Sequence, residues 1–276
     1  MGTPAKIASV ALPLAVLSGG GYGLTQYMGI ERPDALGCYQ RAGQSATAIW
    51  FDASLHSHSP AQLRDYRTGA LQAYNRTDAN GRVMILSTAQ DASGTLVQPV
   101  FVTCKPAATE AEQERLSAPA KTAAYLKRRA DTARDRFSAE LDQAITSATE
   151  PDQMAKDSPI LEQLASISWQ PDFTGPARKL VIVTDGLQNS ALAQFCAVKG
   201  DMPSYATFAQ KSDFASFIPH SFAGTEVSVL LVEFGPLPQR GLEHCSTSEL
   251  RQWYRDYFTS NGAASVQIKP LRHWAH

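Results

Sequence analysis

Net charge is nearly absent from this chain. Acidic and basic residues number 26 and 25 among 276, a formal net charge of −1. No long basic run occurs, which excludes a nucleic acid as the main partner. The longest basic cluster, Lys127-Arg128-Arg129, lies in a charge-mixed stretch and reads as the solvated face of a helix. Cysteine is also sparse. The four residues Cys38, Cys104, Cys196 and Cys245 include no C-x-x-C pair, which excludes a zinc ribbon and a thioredoxin-type redox site. No G-x-S-x-G segment is present, which excludes a nucleophile elbow. The glycine cluster at Gly19 to Gly23 lies inside an apolar run and follows no strand, so it is no dinucleotide or phosphate loop. Internal repeats and low-complexity segments are lacking. Hydrophobic residues at 43% against charged residues at 18% describe a globular chain rather than a disordered one.

Against this background the N-terminus stands out. Lys6 precedes Ile7 to Ile30, which carries no charged residue and is long enough to span a bilayer. Residues 1–30 are expected to be a membrane anchor or signal segment. No A-x-A site follows the apolar core and no cysteine follows Leu17-Ser18-Gly19, which favours an uncleaved single-pass anchor in the inner membrane. Lys6 then stays in the cytoplasm, and the C-terminal domain is periplasmic or otherwise extracytoplasmic. All four cysteines follow the anchor, and an even number outside a membrane predicts two disulfides, with three pairings open.

A connector occupies 31–46, with a polar Glu31 to Arg41 containing Pro33 and Gly37. The apolar run Ala48-Ile49-Trp50-Phe51 reads as a strand buried on both faces, over about Thr47 to Phe51. Asp52 closes it, and Ser54, His56, Ser57, His58 and Ser59 follow. A helix is predicted from Pro60 to about Asn75, capped by Ser59. Strands are predicted at Arg82 to Ser87 and Leu96 to Thr103. Their short connection requires an antiparallel hairpin, and Pro99 places the second strand at a sheet edge. A long helical region spans Thr109 to Thr149 with a break at Pro119, then a short helix Ile160 to Ser168. The remaining predictions are a strand Lys179 to Thr184, a helix Ser204 to Phe217, a strand Thr225 to Phe234, a helix Ser246 to Ser260 and a strand Ala264 to Ile268.

The strand that ends in Asp52 is a site in outline, because carboxylates and hydroxyls at strand tips line the crevice of open α/β sheets. Asp185-Gly186 closes a second such strand, and Gln188, Asn189 and Ser190 after it read either as a polar loop or as the rim of a partner-binding surface. His56 and His58 flank Ser57 with no third histidine or cysteine near in sequence, so they read as loop histidines rather than transition-metal ligands.

The order of strand, D-x-S, helix, hairpin, serine-started helix, strand and T-D-G resembles the von Willebrand factor A domain over roughly Thr47 to Ile268. The resemblance implies an α/β domain at 47–276 with a doubly wound, mostly parallel six-stranded sheet in the order 3-2-1-4-5-6. Helices would cover both faces, with a long helical insertion at about 109–150. It implies a metal-ion-dependent adhesion site for Mg2+, built here from Asp52, Ser54, Ser158 and Asp185. The third member of its D-x-S-x-S motif falls on His56, so the site would be degenerate. Thr103-Cys104-Lys105-Pro106 and Ser158-Pro159-Ile160-Leu161 are similar to a branch of bacterial envelope proteins with this domain. In that topology the sensible disulfides are Cys38–Cys104 and Cys196–Cys245.

The function so implied is a membrane-anchored extracytoplasmic module that binds a protein partner in the cell envelope. It would serve as a non-enzymatic component of an envelope, secretion or conjugation assembly, with His56, Ser57 and Asn189 at the partner face. The alternative is a divalent-metal-dependent hydrolase using Asp52 and Asp185.

Overall fold

The segment Ala46–Phe51 is buried at all six positions, and the rest of the fold is laid out from it (β1). The computed structural model describes residues 31–52, 58–88, 94–149, 157–191, 193–196, 202–211, 218–219, 221–233 and 246–272. After β1 come α1 (Pro60–Arg76), β2 (Arg82–Thr88), β3 (Val97–Cys104), α2 (Glu110–Arg115), α3 (Ala123–Thr149), α4 (Ile160–Ser168), β4 (Arg178–Thr184), α5 (Tyr205–Phe208), β5 (Thr225–Glu233), α6 (Thr247–Ser260) and β6 (Ser265–Arg272). The strands form one six-stranded sheet in the order β3-β2-β1-β4-β5-β6. Only β3 runs antiparallel, as the hairpin with β2, and the ladder slips between Ile85 and Leu86. The slip and Pro99 both blunt that outer edge.

Alternation within the strands splits the core into two layers. Ala48, Trp50, Met84, Leu86, Leu180 and Ile182 face one way and pack under α4 and α6. Ile49, Phe51, Val83, Ile85, Val181 and Val183 face the other way and pack under α1 and α3. Both faces of the central strands are thus covered, which is why their sequences run apolar without a break. On the α1 side the outer strands read differently. Glu226, Ser228, Gln267 and Lys269 floor a groove of about 590 Å³ there. α1 forms the wall of that groove through Asp65, Thr68, Gly69 and Gln72, and a Cβ on Gly69 would meet the Leu230 side chain.

Local chemistry sets the element ends. Ser59 accepts from the Gln62 amide and Gln62 Oε1 accepts from the Ser59 amide, a capping box that starts α1. Thr109 with Glu112 and Ser246 with Glu249 repeat it at α2 and α6. The C-terminal end of α1 is closed by lysine ammonium groups from two strand regions. Lys105 donates to the Asn75 carbonyl at 2.7 Å, and Lys179 donates to the Arg76 carbonyl at 3.0 Å.

The helical region after Thr109 breaks around Pro119 as expected, into two helices, and Leu116 to Thr122 between them includes Ser117 at φ 50°. Two other expectations change. The helix expected from Ser204 to Phe217 is a single turn at Tyr205–Phe208, and 212–217 lie outside the described residues. The last strand continues past Ile268 to Arg272, because Lys269 to Arg272 still pair with Leu230 to Glu233.

The connector is not a free linker. Cys38 is bonded to Cys104, and the Cys104 amide donates to the Leu36 carbonyl at 2.9 Å. Asn80, in a left-handed turn at φ 67°, accepts from the Tyr39 amide and donates to the Tyr39 carbonyl. Residues 31–45 are thereby docked on the N-terminal ends of β1 and β2. Cys196 is disulfide-bonded; its expected partner Cys245 lies outside the described residues. Among the described residues no helix is long and apolar enough to cross a membrane. The expected anchor, Ile7 to Ile30, lies outside them.

Candidate functional site

Between β1 and β4 the chain reverses its direction of winding, since β2 and β3 lie to one side and β5 and β6 to the other. At such a point the loops leaving the two strands part and open a crevice beyond their C-terminal ends. Asp52 follows β1 and Asp185 follows β4, so two carboxylates flank that crevice.

Asp52 is buried. Its amide donates to the Val183 carbonyl at 2.9 Å, which continues the β1–β4 ladder by one bond. Its Oδ2 accepts from Thr184 Oγ1 at 2.7 Å and from Ser158 Oγ at 3.5 Å. Thr184 Oγ1 in turn accepts from the Gly186 amide at 3.0 Å. The relay from Gly186 through Thr184 to Asp52 ties the tip of β4 to the tip of β1. A hydroxyl donated to a buried carboxylate orients it at a modest net gain, about 1 kcal/mol for a typical hydrogen bond.

Asp185 is half-buried and accepts from the Leu187 amide at 2.8 Å, a turn closed by its own side chain. Burial, and next the charge of Asp52, push its carboxyl up from 3.8 to about 7, against the pull of the Leu187 amide. Two tyrosines bracket it from opposite faces of the sheet. Tyr254 on α6 donates to the Gly186 carbonyl at 3.0 Å, and burial with the charges of Asp185 and Asp52 raises its hydroxyl well above the ordinary range. Tyr66 on α1 is raised as well, by burial first and then by Asp185. The Tyr66 hydroxyl lies 3.1 Å from His58 Nδ1, and the two rings meet edge-on. Gly186 sits at φ 75°, and a Cβ there would come within 3.0 Å of the Tyr254 ring. Only glycine allows this turn and this packing together.

The third part of the site comes from the segment before α4. Ser158 and Asn189 exchange amide-to-carbonyl bonds at 2.7 and 2.8 Å, so the loop after β4 and the lead into α4 form a two-stranded bridge. This bridge brings Ser158 to Asp52 across 106 residues of chain. Gln188 lies beneath it, fully buried. Its Oε1 accepts from the Leu161 amide at 2.8 Å, and its Nε2 donates to Glu162 at 2.9 Å and Ser190 at 3.0 Å.

Asp52, Ser158 and Asp185 are therefore brought together, and Asn189 lies beside Ser158. Ser54, His56 and Ser57 lie outside the described residues. Thr184, Tyr66 and Tyr254 are site residues that the sequence reading passed over, and Gln188, expected in a polar loop or on a rim, is instead fully buried. Thr184 alone carried a local signal, a hydroxyl next to a strand-end aspartate.

The chain has been compared with known proteins. No family model and no curated protein sequence matches it. It is similar to two solved structures of a minor pilin from Streptococcus sanguinis. The D319A mutant of PilB aligns at 10% identity and TM-score 0.41, over 85% of this chain and 58% of that one. The PilB minor pilin aligns at 12% identity and TM-score 0.35, over 84% and 58%. The chain thus spans less than two thirds of either structure's length.

The von Willebrand factor A assignment, and the metal-ion-dependent adhesion site named with it, are corrected by this outcome. No family model supports them, and the similar structures carry the name of a minor pilin. The physical reason is that the sheet order is shared by unrelated doubly wound domains. Strand-end aspartates and helix-start serines are also what any such sheet uses to close its loops. Among the described residues no group of three or more His, Cys, Asp and Glu side chains is assembled.

Proposed function

We propose that the chain is an extracytoplasmic, non-enzymatic binding module that holds a protein partner in the cell envelope through its strand-tip face. The placement of Asp52 and Asp185 on either side of the winding reversal between β1 and β4 carries this reading. The Cys38–Cys104 disulfide supports an oxidising compartment. Ile7 to Ile30 is an uncharged run of membrane-spanning length, which supports an anchor. His56, Ser57 and Asn189 would line the partner face around the crevice.

Mg2+ fits the same site. The donors Asp52, Ser158 and Asp185 are all oxygen, as a hard cation requires. The repulsion that raises the Asp185 carboxyl is what a positive charge would relieve. When bound, the cation would neutralise the paired carboxylates of Asp52 and Asp185.

Calorimetric titration of the full chain in detergent with MgCl2, beside an Asp52→Ala control, tests the cation. Wild-type binding that the control lacks is expected. Cross-linking and recovery of the chain from mildly solubilised membranes tests the partner, and recovery of the chain alone would overturn the reading. Magnesium-dependent turnover of a phosphate ester, lost in Asp52→Ala, would replace it with the metal-dependent hydrolase.

A further inference from the structure

We infer that Gln188 is the positioning residue that joins the two loops of the strand-tip site into one unit. Helix α4 begins without a cap of its own. Pro159 stands at the N-cap position and offers no side-chain bond, so the amides of the first turn need an acceptor from elsewhere. The acceptor for Leu161 is Gln188 Oε1, delivered by the loop after β4. The same amide group donates through Nε2 to Glu162 and Ser190. The backbone of Gln188 is held too, donating to Gly186 and accepting from Phe195. One buried side chain therefore ties together the loop that carries Asp185 and the helix start that follows Ser158-Pro159. Those are two of the oxygen donors at the crevice, and they come from segments otherwise joined by the Ser158–Asn189 bridge. A glutamine suits this position because it presents one acceptor and two donors on a planar head. A glutamate in its place would keep the bond to Leu161 but set a second carboxylate against Glu162.

This inference rests on the strand-tip reading for its consequence, though not for its structural content. The test uses hydrogen exchange of the full chain in detergent together with MgCl2 titration. Gln188→Glu is expected to raise exchange at Ser158, Leu161 and Asn189 together, while the amides of β2 and α1 stay protected. Mg2+ affinity should fall at least about tenfold, as is usual when the groups behind metal ligands are disturbed. Gln188→Glu with Glu162→Gln restores one carboxylate and one amide to the pair, and is expected to recover protection and affinity. Unchanged exchange at these three amides in Gln188→Glu overturns the inference, as does a double variant no better than the single one. If wild type binds no Mg2+, the cation reading falls while the exchange experiment still decides the role of Gln188. Wild-type affinity retained in a Gln188→Glu variant with loosened loops overturns the positioning role alone.

Discussion

The two ends of the sheet are built on opposite principles. At the N-terminal end of the strands polar groups meet complementary partners. Cys38 is bonded to Cys104, Asn80 is spent on Tyr39, and lysine ammonium groups sit on the last carbonyls of α1. At the C-terminal end two carboxylates are set beside each other, and one is pushed toward neutrality as a result. The first end has the character of a foundation. The second sets that repulsion among hydroxyls, a glutamine and two tyrosines, and that is where the proposed ligand would gain by binding. Binding sites are commonly arranged this way, with groups held in positions that folding alone would not choose.

Four substitutions break or sharpen this contrast, in falling order of effect. Opening the disulfide is the largest. Cys38→Ser with Cys104→Ser releases a loop of 66 residues' separation and should cost about 4 kcal/mol in urea unfolding. Exchange at Ser158 and Asn189, at the far end, should stay as in wild type. Next is Asp185→Asn. The folded carboxyl is raised to about 7 from 3.8, so the native state holds the proton more tightly than the unfolded chain. Stability is unaffected by this group below about pH 4 and falls as pH rises toward 7. In chelator, wild type should melt lower at pH 8 than at pH 5. Asp185→Asn should gain on the order of 2–3 kcal/mol over wild type at pH 8, and nothing comparable at pH 4. Equal pH profiles for the two proteins would remove the case for a strained upper end.

Asn80→Ala ranks third. It strands the Tyr39 amide and carbonyl and places alanine at φ 67°, for about 2 kcal/mol. Asn80→Gly should recover the backbone share alone. Ser59→Ala is the smallest, about 1 kcal/mol, from half of the α1 capping box. Thermal melts resolve both, and the order of the two tests whether the lower end holds more of the fold.

Much of the sheet was legible from the chain. Strand ends at Phe51 and Thr184 and helix starts at Pro60 and Ile160 follow from apolar runs closed by Asp, Ser and Pro. The split at Pro119 was legible for the same reason. Ser158 entered only through the family resemblance, but that Asp52 and Asp185 would close strands was legible, because strand tips are local features. Tyr66 and Tyr254 were not, since each reads as one more apolar residue on a helix face. The docking of the connector was not legible, because the bonds of Asn80 and the Cys38–Cys104 disulfide join residues far apart in the chain. The family resemblance misled because its motif residues serve equally to close the loops of any doubly wound sheet.

By itself the sequence determined the elements and their caps, because periodicity and capping act within a few residues of chain. It also determined that two strands would end in aspartate. Only the tertiary structure decided that those aspartates face each other, since the sheet order that sets β1 beside β4 arises from contacts more than a hundred residues apart. It also decided the surroundings of Asp52: a hydroxyl relay from Thr184, and a buried glutamine bonded to the start of α4. Those are properties of burial and proximity, which no short stretch of sequence encodes.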